Sequence, residues 1–423
     1  MNLYYMRIRD IWAYLKAEDM LFWLVFLYFL FEYVRPQTLY PVIDFLPYAQ
    51  LIIISAFMLA IMKGKLFKVK NRENFLIIVF TLILIVSSIM AYSMKLSIEK
   101  WPEFFSWVII FFIITNTVDS EKRFIIIILF FLLYNFKMSQ FNFLNWAAGG
   151  FSFSNWGFGG GPGWFHNSGE FGVEMCVFFP ISYFFYTSLK QYWPKWKKAF
   201  FILFPFTAFT GMISSSSRGA LIGGIITLFW IIMKSRYKYR AIISGVIIGL
   251  LVFVSIPEQQ KNRLRSIGQD TTSQTRLQYW KDGIVITNEH PVLGIGYMNW
   301  LDYYEANYEV RGGAENIVEL PHNIFIQCSS ELGYSGLIIF ILMIIYVFRN
   351  NFETRRIARH DLNNGFLASM ADGLDGAMIG FLISGCFVTV LYYPYFWINL
   401  SLTVALNNVT KQQRLSIEQA PSR

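Results

Sequence analysis

Residues 124–136 read FIIIILFFLLYNF, a run in which neither the helical nor the strand repeat leaves a polar face. A surface helix of a soluble protein keeps polar positions opposite its apolar stripe, whereas a helix apolar all round sits in lipid or in a deep core. Residues 21–31, LFWLVFLYFLF, repeat the pattern, and similar runs recur to the neighbourhood of residue 408. With 55% of its 423 residues apolar, 19% aromatic and 15% charged, the chain reads as an all-α polytopic membrane protein with membrane lipids around it.

Apolar runs bounded by charge or turn residues give about twelve transmembrane helices, near 20–34, 46–62, 75–92, 104–117, 123–138, 171–188, 199–214, 218–233, 240–256, 334–348, 376–391 and 393–408. The net charge of +9 would suit nucleic acid in a soluble protein. Here the basic residues gather in short connections such as KGKLFKVKNR (63–72) and KSRYKYR (234–240), the pattern of loops held at the cytoplasmic surface, and no nucleic-acid partner is expected. That orientation puts both termini in the cytoplasm. It leaves two long segments outside, 139–170 and 257–333, the second a large periplasmic loop between helices nine and ten. The organisation expected is therefore 1–256 with nine spans, 257–333 as a loop domain, and 334–423 with three spans and a cytoplasmic tail. The spans themselves read as nearly free of charge.

The outer segments carry the polar chemistry. Segment 257–333 includes RLQYWKDGIVI, with Leu277, Trp280 and Ile284 at helical spacing, and reads as a small folded cap. Its basic residues Lys261, Arg263, Arg265, Arg276 and Lys281 precede a stretch rich in acids, and such a basic strip suits phosphate or anionic headgroups. Segment 139–170 is crowded with glycine and aromatic rings, which fits an interfacial belt or a platform for sugars or a lipid chain. Arg218, in SSSSRGALIGG, stands in a very short outer turn, where a guanidinium can snorkel to the interface or grip a diphosphate.

His322 stands in ELPHNIFIQCSSELGYSG (319–336), directly before an apolar run. A histidine at the edge of a span needs a partner or a task, and general base is the task its chemistry suits. Pro321 suits the first position of a helix, so the reading places His322 in the first helical turn. Glu331, nine residues on, points away from it and reads as packing or capping. No His-Glu or Asp-x-Asp spacing of a metal site is present, and the cysteines Cys176, Cys328 and Cys386 share no ligand spacing, so neither metal nor cofactor is expected.

Three motifs in order, SSSRGALIGG (215–224), RLQYWKDGIVITNEHPVLGIGYMNW (276–300) and PHNIFIQCSSELGYSGLIIF (321–340), together with the large outer loop, resemble the bacterial O-antigen ligase family. Its superfamily also holds O-antigen polymerases and bacterial O-oligosaccharyltransferases. The resemblance implies a metal-independent, inverting glycosyltransferase of the GT-C type in the bacterial inner membrane, working at the periplasmic face. It would move a glycan from undecaprenyl diphosphate to lipid A-core or a related acceptor. By the same resemblance, Arg218 and Arg276 would bind the diphosphate, Arg263 and Arg265 would assist, and His322 would activate the acceptor hydroxyl. The segment HNSGEFG (166–172) departs from the Asn-Glu pair that often opens the sixth span in the family. Polymerase and protein O-glycosylation remain alternatives within the superfamily. From another class, a transporter of lipid-linked glycans would be expected to carry ionisable residues deep in its spans and repeated halves, and neither is read here.

Overall fold

The computed structural model describes residues 2–152, 157–235, 271–308 and 318–419, with positions 239, 242, 243, 245 and 261. Arg263, Arg265 and most of the ninth expected span lie outside the described residues. The described chain is a helical bundle. By length and composition, five helices among the described residues can cross a membrane: Arg72–Ile89, Glu121–Ala148, Ser168–Tyr192, Ile324–His360 and Gly365–Gly385. Shorter apolar helices are Met20–Val34 and Tyr48–Met62, and Met94–Thr117, Leu203–Ser214, Arg218–Lys234 and Pro394–Glu418 fill out the bundle.

Helix starts follow the side chains that can satisfy exposed backbone N–H groups. Asp19 accepts from Phe22, Asn71 from Asn74, Ser120 from Arg123, Ser217 from Ala220 and Asn364 from Phe366 and Leu367. Inside the bundle the helices approach closely where side chains are small. A Cβ on Gly380 would come within 2.8 Å of the Cys176 carbonyl, so helices Gly365–Gly385 and Ser168–Leu189 meet nearly backbone to backbone.

The segments expected on the cytoplasmic side converge on one end of the bundle. Arg123 donates to Glu18 at 2.6 Å, Lys65 to Asp19 at 2.8 Å, Lys197 to the Tyr5 and Met6 carbonyls at 2.7 Å, and Gln413 to Glu121 at 2.7 Å. The opposite end gathers residues 35–47, 90–103, 157–167, 214–218, 271–308, 318–323 and 386–393. Examples are the Tyr92 N–H donating to Ile295 O and Phe158 N–H to Ser214 O. A second apolar cluster of Tyr279, Ile286, Ile295, Trp300 and Tyr304 sits at that end, apart from the main core.

Four expectations change. Helix Glu121–Ala148 runs ten residues past 138, because Asn142 is buried between helices, accepting from Ser214 and donating to the Phe158 and Gly159 carbonyls. The eleventh span ends at Gly385 and residues 386–393 are not helical. The tenth helix starts at Ile324, ten residues early, and is broken at Gly333, whose φ of 67° and ψ of −174° belong to glycine alone. There the turn 291–296 packs into the break: a Cβ on Gly333 would lie 2.4 Å from the Val292 backbone, and the Gly296 N–H donates to the Glu331 carbonyl at 3.1 Å. Finally, the spans are not free of charge, since Glu174 is fully buried within Ser168–Leu189 and Asp372 and Asp375 are buried within Gly365–Gly385, where Arg355 pairs with both.

Candidate active site

The non-helical segment 386–393 organises this end of the bundle. Two candidate residues, and the neighbour of a third, meet it from distant motifs. Gly219, next to Arg218, packs against it so closely that a Cβ would lie 2.8 Å from the Phe387 Cβ. Arg276 donates from Nη1 to the Phe387 carbonyl at 3.3 Å. His322 donates its backbone N–H to the Thr389 hydroxyl at 2.9 Å.

Of the three, Arg218 opens a helix, Arg276 lies within one and His322 stands just before one. Arg218 is the first residue of Arg218–Lys234, capped by Ser217, and its Nη1 donates to Ser273 Oγ at 3.1 Å. That contact ties it to the first turn of Thr271–Glu289, the helix that also carries Arg276. The expected apolar spacing in this helix describes its outer side: Leu277 and Ile284 are exposed, while Tyr279, Asp282, Gly283 and Ile286 are buried. The buried face serves the histidine loop. Tyr279 accepts from the Glu319 N–H, Trp280 donates to the Pro321 carbonyl at 2.9 Å, and Trp300, from the next helix, donates to the Glu319 carbonyl.

His322 lies outside the helix it was expected to open. Asn323 is the cap, its side chain accepting from Phe325 and Ile326, so Pro321 and His322 precede the first turn. A carboxamide that bonds two orphan N–H groups outweighs the preference of proline for the first helical position. The result is a left-handed His322, φ 49°, a conformation uncommon for a residue with a Cβ and held here by the Thr389 hydrogen bond. The imidazole is one-quarter exposed, with Nε2 3.6 Å from Glu319 Oε2. Nδ1 is buried and has no hydrogen-bond partner.

Glu319 is a residue the sequence reading passed over, although it stands three positions before His322. The His322 imidazole beside it holds the carboxyl below its usual range, against partial burial, and Arg276 adds to the effect. Thr389 was missed for a different reason: residues 386–391, CFVTVL, look like the tail of a span. Gly385 followed by the β-branched Val388, Thr389 and Val390 was the available signal that the helix stops.

The glycine-rich loop packs beside this site. Gly157, at φ 69°, passes so close to Ser215 that a Cβ would overlap its carbonyl. Asn167 precedes helix Ser168–Leu189 and donates to Glu170 at 3.3 Å, while the Glu170 carbonyl accepts from Tyr395. Glu331 is fully buried nine residues beyond His322, its carbonyl taken by Ser87 and Gly296.

Two basic side chains near a histidine with a carboxylate partner form a constellation suited to holding an anion while a proton is removed nearby. Residues 201–341 match the family model described as O-antigen ligase. No curated protein matches the sequence. The family is one of ligase- and polymerase-type glycosyltransferases, and Arg218, Arg276, Glu319 and His322 all fall within the matched stretch, whereas Thr389 lies beyond it. The chain thus carries the domain of the O-antigen ligase family across residues 201–341.

Proposed function

We propose that this protein transfers a glycan from undecaprenyl diphosphate to a hydroxyl of lipid A-core or a related acceptor, at the periplasmic face of the inner membrane. The observation that supports the reading is that Arg276 and His322 both donate to segment 386–393, against which Gly219, the neighbour of Arg218, packs. The acceptor oxygen attacks the anomeric carbon as the imidazole of His322 takes its proton, and the bond from that carbon to the diphosphate oxygen breaks. The configuration inverts and the electron pair leaves with the diphosphate, whose charge the two guanidinium groups hold. Glu319, at 3.6 Å from Nε2, steadies the imidazolium that forms.

The reading is tested with purified protein in proteoliposomes supplied with undecaprenyl-diphosphate-linked glycan and lipid A-core, without nucleotide sugar. Glycosylated lipid A-core and free undecaprenyl diphosphate are the expected products. Elongation of the lipid-linked glycan with the lipid A-core untouched would assign polymerisation instead.

A further inference from the structure

The same end of the bundle holds a second polar cleft that the transfer reading leaves without a task. Its volume is about 460 Å³, and it lies between the end of Met20–Val34, the start of Tyr48–Met62, the part of Met94–Thr117 around Pro102, and the loop at Trp164. Cavities of about 300–1,000 Å³ are the usual size for small-ligand sites.

The backbone departs from a plain span to build it. Helix Met20–Phe29 ends in a turn of π-helix, Leu30–Val34, followed by a left-handed Arg35 at φ 49°. Widened turns of this kind are concentrated at functional sites. They place Glu32, only 7% exposed, on the wall of the cleft, where it accepts from the Trp164 indole N–H and lies 3.8 Å from the Arg35 guanidinium. Arg35 in turn packs on the backbone of Gly163, where a Cβ would lie 2.2 Å from its Cζ.

Two buried groups lining the cleft have unmet hydrogen-bonding capacity. Gln37 uses its amide N–H on the Phe31 carbonyl, leaving Oε1 buried without a partner. The hydroxyl of Tyr28, a residue 2% exposed, has no partner of acceptable geometry. Buried groups left unsatisfied are costly, so a ligand that meets them gains affinity.

The chemistry selects the ligand class. Glu32 is compensated by Arg35, and Glu103 at the rim by Lys100 at 2.8 Å, so the cleft favours neither a cation nor an anion. Trp164, and Phe31 stacked on Tyr48 at 4.9 Å, supply ring faces for C–H groups, while the carboxylate and carboxamides suit hydroxyls. We infer that the cleft is a saccharide-binding subsite that holds a sugar ring of a glycan away from the reacting bond. The choice of a glycan rests on the transfer reading. The two sites are neighbours: the Trp164 ring lies 4.8 Å from that of Tyr393, four residues after Thr389.

A saccharide could reach the cleft from the donor glycan or from the acceptor. The test uses the full-length protein in nanodiscs and two fluorescently labelled probes, the glycan released by mild acid from the lipid carrier and the core oligosaccharide released from lipid A. Saturable binding of one probe is expected, and which one binds identifies the source. Gln37→Leu and Trp164→Phe should each weaken it about tenfold, whereas His322→Ala leaves it intact. Gln50→Ala, at the exposed rim, provides a variant with little risk to folding and a smaller loss in the same direction. Binding of neither probe, or binding indifferent to all three cleft variants, overturns the inference. Transfer that persists alongside cleft-indifferent binding removes the subsite and leaves the transfer reading standing; cleft-dependent binding by a protein without transfer does the reverse.

Discussion

The backbone N–H of His322 donates to the hydroxyl of Thr389 at 2.9 Å, across 67 residues of chain. A left-handed histidine just outside a helix is thereby fixed to a segment that also receives Arg276. The contact is a single neutral hydrogen bond, worth about 1 kcal/mol, but it holds the residue proposed as the base.

Thr389→Val keeps the shape and removes the acceptor, leaving a strained, partly buried N–H without a partner. Glycan transfer should fall about tenfold with little change in donor binding, and Thr389→Ser should restore most of the rate. Equal rates for the valine variant and the parent, measured in proteoliposomes, would show that this contact does not position the histidine.

Arg218→Lys and Arg276→Lys keep the charge and lose the planar fork. If each guanidinium makes paired hydrogen bonds to a diphosphate, each substitution should weaken donor binding by about 1.5–3 kcal/mol, roughly ten- to a hundredfold. Isothermal titration with undecaprenyl diphosphate reads this directly. An unaltered affinity in both variants would remove the arginines from the donor site.

Glu319 contributes through its ionised form. Its pKa is lowered from 4.5, so the carboxylate's contribution is fully present above about pH 4.5 and is lost as pH falls through the lowered value. Parent protein should resist proteolysis of the 318–323 loop better than Glu319→Gln in mild acid, where a carboxylate faces an imidazolium, and the difference should be lost once pH falls below the lowered carboxyl value. Equal resistance of the two proteins across this range would contradict the pairing with His322.

Gly333→Ala places a Cβ 2.4 Å from the Val292 backbone at a φ and ψ reserved for glycine. The conformational penalty alone is about 1–3 kcal/mol, and thermal unfolding followed by fluorescence should move down by several degrees. An unchanged transition would mean that the turn 291–296 does not depend on the helix break.

The membrane class was legible because it rests on unbroken apolar runs and basic turns, and local motifs picked out Arg218, Arg276 and His322 as candidates. What escaped depends on partners far away in sequence. In CFVTVL the β-branched Val388, Thr389 and Val390 are the one hint that the helix stops, since apolar residues serve a span and the strip that receives His322 and Arg276 alike. The cap at Asn323 overrode Pro321 because a side chain bonding two N–H groups outweighs a backbone preference. Glu319 acquires its place only when Tyr279 and Trp300, from the folded outer segment, fix its backbone. Asn142 and Glu174 are polar residues inside helices, and only the packing of neighbouring helices explains their burial.

The account stands on His322 as the base that activates the acceptor. Its most direct test is single-turnover transfer by His322→Ala, with donor binding measured in parallel. Transfer should fall by a factor of about 10²–10⁴ while undecaprenyl-diphosphate-linked glycan binds as before and accumulates unattached in cells. Transfer at the parental rate, with normally glycosylated lipid A-core, would contradict it.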